Sequence, residues 1–195
     1  MSTEAFIEQL YSTFLGRSSD SAGKAYWIDK IDTGALNAAE VSQSFNDSSE
    51  FTGMVSPIAR LYYTSFDRIP DAEGLTYWMN TFQDGLSIAE ISANFVASTE
   101  FQDRYGTALD DSAFLELLYQ NVFSRDSDPE GKENWLDAMT NGGLSRADVL
   151  IGFADSQELV NDKAEDIQVI VQYQGITGTT PTQEQIDAAK EAADP

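Results

Sequence analysis

Residues 126–137 place oxygen ligands at the spacing of a calcium loop. Asp126, Asp128, Glu130, Gly131 and Asp137 read D-x-D-x-E-G-x-x-x-x-x-D, with carboxylates at alternate positions and glycine at the turn. Two residues oppose a regular loop. Glu133 stands where such loops carry an apolar residue, and Pro129 suits the first position of a helix. A looser carboxylate cluster of Asp126, Asp128 and Glu130 fits the pattern better. Calcium is the one cofactor suggested.

Arg17, Arg68 and Arg125 each stand three residues before an aspartate: Asp20, Asp71 and Asp128. A guanidinium there can grip a carboxylate or sugar hydroxyls, or tie down a helix end by an ion pair. Its recurrence favours the tie. Trp27, Trp78 and Trp135 are the only tryptophans. Their flat rings could stack on a pyranose, but their place in a helical pattern makes core packing the expectation. Binding is better sought where the copies differ. Arg60 and Tyr63 replace Gln9 and Ser12, Arg104 and Tyr105 form an unmatched pair, and Tyr173 lies near the C-terminus. These five are the expected glycan contacts.

The elements that must position these groups come as three copies. GRSSDSAGKAYW, DRIPDAEGLTYW and SRDSDPEGKENW recur at intervals of about 50 residues, the mark of a repeat architecture. In each copy a first helix carries apolar residues at helical spacing, such as Ile7, Leu10, Tyr11 and Phe14. A second helix opens on the Asp N-cap and ends at glycine: Gly34, Gly85, and Gly142 or Gly143. Gly23, Gly74 and Gly131 follow the caps by three residues, which suggests that another backbone passes close. A third helix starts with a capping box: Asn37/Glu40, Ser87/Glu90 and Ser145/Asp148. It carries Phe45, Phe95 or Phe153. A short last turn follows at Ser48, Ser98 and Ser156. No stretch alternates as a strand does. The expected fold is all-α: three tandem repeats over 1–55, 56–108 and 109–175, each of three to four helices. A helix over 161–174 trails the third. Residues 176–195 form a linker and an Ala-rich helix, read as leading to a further domain.

Composition narrows the function. Eleven Lys and Arg face 33 Asp and Glu, for a net charge of −22, and the acidity is spread along the chain. Sequence-independent nucleic-acid binding needs a basic face, and adhesion to an anionic bilayer needs the same. Neither is expected. Cysteine and histidine are both absent, so disulfides, thiolate sites and histidine-based nucleophile pairs are excluded. No apolar run is long enough to span a membrane, and the N-terminus lacks the pattern of a signal peptide. No phosphate-cradling loop or nucleophile elbow occurs, and no carboxylate pair stands out for glycoside hydrolysis. The chain is read as no enzyme.

The unit F-x-x-x-L-Y, G-R-x-x-D-x-x-G-x-x-Y-W, S-x-E-F resembles domain-of-unknown-function family 4214. Copy one carries it in Phe6, Leu10, Tyr11, Gly16, Arg17, Asp20, Gly23, Tyr26, Trp27, Ser49, Glu50 and Phe51. Copy two has Asp67 for Gly16. Copy three has Ser124 there, Asn134 for the tyrosine and Leu159 for the phenylalanine. The likeness covers roughly 4–160. It implies a helical unit of large exported bacterial proteins, often beside calcium-binding nonapeptide repeats and leaving by type I secretion. Similar N-terminal regions anchor Gram-negative surface-layer proteins to lipopolysaccharide. A more distant similarity links the unit to phycobilisome linkers, which should be basic.

The function expected from all this is non-catalytic cell-surface attachment. The chain would bind lipopolysaccharide or another surface polysaccharide, outside the bacterial cell, for a surface-layer or adhesin-like protein. The alternative is a protein assembly module that associates with copies of itself.

Overall fold

The structure is a computed structural model that describes residues 1–193. Its elements are α1 (Thr3–Leu15), α2 (Ser21–Asp32), α3 (Ala38–Asn46), a π-helical turn (Phe51–Val55), α4 (Ser56–Phe66), α5 (Ala72–Gln83), α6 (Ile88–Ala97), α7 (Thr99–Tyr105), α8 (Asp111–Phe123), α9 (Pro129–Thr140), α10 (Arg146–Ala154), α11 (Gln157–Thr177) and α12 (Gln183–Ala193). The fold is all-α, with no strand among the described residues.

The caps stand at the residues read from the sequence. Asp20, Asp71 and Asp128 accept from the backbone N–H of Gly23, Gly74 and Gly131 at 2.8, 2.7 and 2.7 Å. All three capping boxes close, with Glu40, Glu90 and Asp148 reaching back to Asn37, Ser87 and Ser145. Gly34, Gly85 and Gly143 take the left-handed conformation that ends a helix, at φ of 70°, 107° and 75°. The first helices end the same way at Gly16, Asp67 and Ser124, with φ of 64°, 49° and 53°. The backbone shape thus persists where the glycine does not.

The glycines three residues past the caps have a different neighbour from the one expected. What approaches Gly23 is the Tyr11 hydroxyl, and what approaches Gly131 is the Tyr119 hydroxyl, not another backbone. A Cβ at Gly131 would stand 2.8 Å from the Tyr119 oxygen.

The C-terminal region also departs from expectation. The short last turn of copy three and the helix over 161–174 are one helix, α11. No Gly or Pro interrupts 157–174, so nothing stops it. Ile176 and Thr177, read as linker, are its last residues. Gly175 lies where any Cβ would collide with the Thr13 side chain, so α11 packs closely on α1 there. Residues 194 and 195 of the expected final segment lie outside the described residues.

The compact units do not follow the three repeats. Unit 1 comprises residues 1–56, 71–80 and the described residues from 164 on; unit 2 comprises 57–70 and 81–163. The boundary read at 55 lies beside a unit boundary at 56/57, whereas 108 and 175 fall inside unit 2 and unit 1. In unit 1, α1 packs on α2 and α3. Residues of α12 dock on α11: Ile186 is fully buried, and Lys190 binds the buried Asp166 at 2.7 Å. In unit 2, α6 packs along α10, and the Ser92 hydroxyl donates to the Ala147 carbonyl at 2.8 Å.

Phe45, Phe95 and Phe153 are the aromatic centres of the copies. Tyr11, Tyr62 and Tyr119 meet them edge-on at 5.0, 5.0 and 4.9 Å. Trp27 and Trp135 lean on Phe45 and Phe153 at 5.4 and 5.6 Å. All three tryptophans are half-buried.

Copies one and three share a polar brace. Glu8 accepts from the Ser19 hydroxyl at 2.7 Å and from Lys24 at 3.0 Å. Glu116 does the same with Ser127 at 2.7 Å and Lys132 at 2.9 Å. The serine hydroxyl, then the lysine, hold each carboxyl down to about 2.

Two outcomes test this framework. Gly23→Ala should destabilise by about 1–3 kcal/mol through overlap with the Tyr11 hydroxyl, and Tyr11→Phe in the same chain should recover most of the loss in urea melts. The brace carboxylates have folded values below the ordinary 4.5. Their contribution is complete above that value and fades as pH falls toward about 2. A Glu8→Gln, Glu116→Gln variant should therefore show a shallower loss of urea midpoint over that range.

Candidate functional site

The recurrent arginines are engaged within the fold. Arg17 donates Nε and Nη2 to the two carboxylate oxygens of Glu50 at 2.6 and 2.8 Å, and Nη1 to the Ser18 carbonyl at 3.2 Å. Arg68 does the same with Glu100 at 2.6 and 3.0 Å and the Ile69 carbonyl at 3.1 Å. Arg125 reaches Glu158 at 3.4 and 2.9 Å and the Asp126 carbonyl at 3.4 Å. Each guanidinium also covers a tyrosine ring: Tyr11 at 4.9 Å, Tyr62 at 5.1 Å and Tyr119 at 5.2 Å. Glu50 and Glu158 push the Arg17 and Arg125 values up. The carboxylate partner is thus the glutamate of S-x-E-F, and the nearby aspartate caps a helix instead. The glutamate could have been found from its constant place 33, 32 and 33 residues after the arginine.

The calcium-loop pattern does not fold as a loop. Helix α9 begins at Pro129, so Glu130 sits in its first turn and Asp137 about 13 Å farther along the axis than Asp128. Asp128 is the N-cap, Asp126 accepts from Gln120 at 3.3 Å, and Asp137 accepts from Asn141 at 2.6 Å. Among the described residues, no group of three or more Asp and Glu side chains converges on one point.

Three of the five expected glycan contacts are buried. Arg60 is 9% exposed; it donates Nε to the Ala154 carbonyl at 2.6 Å and Nη2 to Asp155 at 2.8 Å, and so closes the end of α10. Tyr63 is 9% and Tyr105 2% exposed, and the Tyr105 hydroxyl donates to the Thr64 carbonyl at 3.1 Å. Burial pushes the Tyr105 hydroxyl up. None of the three can lie against a saccharide. Arg104 remains at the surface, paired with Asp67 at 2.8 Å. Tyr173 is half-exposed.

Tyr173 lines a groove of about 780 Å³ in unit 1, formed by α11, α12 and one residue of α3. Gln168 and Gln172, one turn apart on α11, face it with Tyr173, Ile176, Gln43 and Lys190. Several of these groups already have partners. Gln43 donates to Asp47 at 2.9 Å, and the Tyr173 hydroxyl accepts from Gln185 at 2.8 Å. Asp166 pushes the Lys190 value up. The Gln168 and Gln172 amides make no side-chain hydrogen bond among the described residues. Ile176 is 72% exposed. The groove therefore offers two amides, a ring and an apolar contact, with its lysine neutralised by Asp166 and the carboxylates of Glu165 and Glu191 also in its lining. It suits a flat, polar ligand that is not anionic. It was invisible in the sequence because glutamines on a helix have no distinguishing pattern.

The Arg–Glu tie is testable by a double-mutant cycle. Arg17→Ala and Glu50→Ala should couple by about 0.5–1 kcal/mol in urea denaturation, as expected for a partly exposed bidentate pair.

Residues 1–55 and 92–162 match the family described as Domain of unknown function (DUF4214). No curated protein and no solved structure matches the chain. The matched segments hold the Arg17–Glu50 and Arg125–Glu158 ties, both braces and two of the three aromatic centres in full. On the extent of that match, the chain belongs to the DUF4214 family.

Proposed function

We propose that this protein is a non-catalytic attachment module that binds a neutral polysaccharide of a bacterial cell surface, the polysaccharide of lipopolysaccharide being the expected form. The groove along α11 supports this reading most directly. It sets the Gln168 and Gln172 amides beside the Tyr173 ring and the exposed Ile176. Amides pair with sugar hydroxyls, while a ring and an aliphatic side chain take the apolar face of a pyranose. The groove holds no nucleophile beside a base, and its lysine is paired, so binding without chemistry is the reading it favours.

Charge sharpens the reading. A chain of net charge −22 is repelled by phosphorylated or carboxylated glycans unless a cation bridges them. Neutral sugar is the fitting ligand, and calcium in the surroundings would aid approach to an anionic surface. In this reading the module works outside the cell, exported by a type I route and joined to a surface-layer or adhesin-like protein. Self-association through α12 has less support, because Ile186 is already fully buried within unit 1 and Lys190 is tied to Asp166.

The test is calorimetry with lipid-free, neutral O-polysaccharides, with and without calcium. Binding should persist at high salt, since no ion pair with the ligand is involved. A Gln168→Ala, Gln172→Ala variant should bind at least about tenfold more weakly, the loss of roughly two hydrogen bonds. No binding across a broad panel in either condition would remove the proposal.

A further inference from the structure

A second groove of unit 1 lies against the same helix. It has a volume of about 830 Å³, and its walls include Ser12, Glu73, Thr76, Tyr77, Asn80 and Gln174. Gln172, Tyr173 and Ile176 face the first groove; Gln174 and Gly175 face this one. At about 100° per residue these two sets lie on opposite sides of α11. The helix is therefore a wall with a groove on each side. The close contact of Gly175 with Thr13 keeps α11 near α1, and Gln9 donates to the Gly175 carbonyl at 3.4 Å.

Tyr77 stands out in this groove. It is 58% exposed, with its ring edge-on to Trp78 at 4.9 Å and 79°. Tyr26, its counterpart in copy one, is 52% exposed and meets Trp27 at 4.9 Å and 78°. Copy three has Asn134 at that position and forms the same helix. The helix itself can therefore form without a tyrosine at that position. A large ring more than half exposed on the groove wall presents apolar surface to a ligand.

The surroundings of Tyr77 narrow the ligand class. Ser12 and Asn80 are exposed and make no side-chain hydrogen bond among the described residues. Arg17, at the rim, has its donors committed to Glu50 and the Ser18 carbonyl. Glu73 is then the uncompensated charge of the lining, and it disfavours an anionic ligand.

We infer that the Tyr77 groove is a second site for neutral saccharide, so that unit 1 holds a polysaccharide at two places on opposite sides of α11. This deepens the proposed function and rests on it. Two linked sites of modest strength bind a long chain far more tightly than either alone, by about 10²–10⁴. Short oligosaccharides gain nothing from the second site.

The experiment uses ¹⁵N-labelled protein titrated with the neutral, lipid-free O-polysaccharide that binds best in the calorimetric panel, and with short oligosaccharides cut from it. Tyr77→Asn installs the residue that copy three carries, and an unchanged spectrum outside residues 70–85 verifies that the fold is kept. Shifts are expected in two patches, residues 73–80 and residues 168–176. Tyr77→Asn should abolish the first patch and weaken the long polymer at least about tenfold, while leaving oligosaccharide binding at 168–176 unchanged. Shifts confined to 168–176, or a Tyr77→Asn variant that titrates like the parent, would overturn the second site and leave the proposed function standing. Shifts at 73–80 alone would support the Tyr77 site and move the proposed function away from the α11–α12 groove. Absence of both would remove the two together.

Discussion

Each copy of the repeat is organised around one tyrosine near the end of its first helix. The edges of Tyr11, Tyr62 and Tyr119 meet Phe45, Phe95 and Phe153. Their faces lie under Arg17, Arg68 and Arg125. The Tyr11 and Tyr119 hydroxyls enter the first turn of the second helix, where only glycine leaves space. Burial, and then the charge of the capping aspartate, push both hydroxyls up. The arginine is in turn fixed by a glutamate from the segment after the third helix. One phenol thus touches the parts that set the angles between helices. Arginine, glycine and glutamate recur together because each answers to the same ring.

The first helix of copy two, α4, has no exposed face from Ile58 to Phe66, whereas α1 and α8 keep exposed faces. The polar brace of Glu8, Ser19 and Lys24 would have to be desolvated there. At the corresponding positions copy two has Ala59, Pro70 and Leu75, all buried. The residues before 92 that escape the family match fall in this copy. Its divergence follows from its surroundings, while its tyrosine, arginine and glutamate are retained.

Local chemistry was legible in the chain and distant chemistry was not. Caps, capping boxes and glycine stops depend on residues within four positions of each other, and each of Asp20, Ser87 and Gly143 behaves as its neighbours require. The partners of Arg60 lie 94 and 95 residues away, and nothing nearby marks it as a buried closure of α10. Tyr105 was misread for the same reason: its exposure depends on Thr64, 41 residues earlier. Departure from the repeat pattern does not by itself mean freedom to bind. For Arg60, Tyr63 and Tyr105 it reflects packing unique to one copy. The Tyr173 groove needed α12 to be placed against α11, which no local signal dictates.

Unit 1 draws on residues 1–56 and on those from 164 onward, while unit 2 is continuous except for residues 71–80. On a ribosome the two cannot mature together. The segments of unit 2 emerge within one stretch, but α1–α3 must wait for α11 and α12, a closure across roughly a hundred residues. Until then the apolar faces of α1 and α3 have no final cover. Unit 1 is thus closed only after the whole of unit 2 has been made.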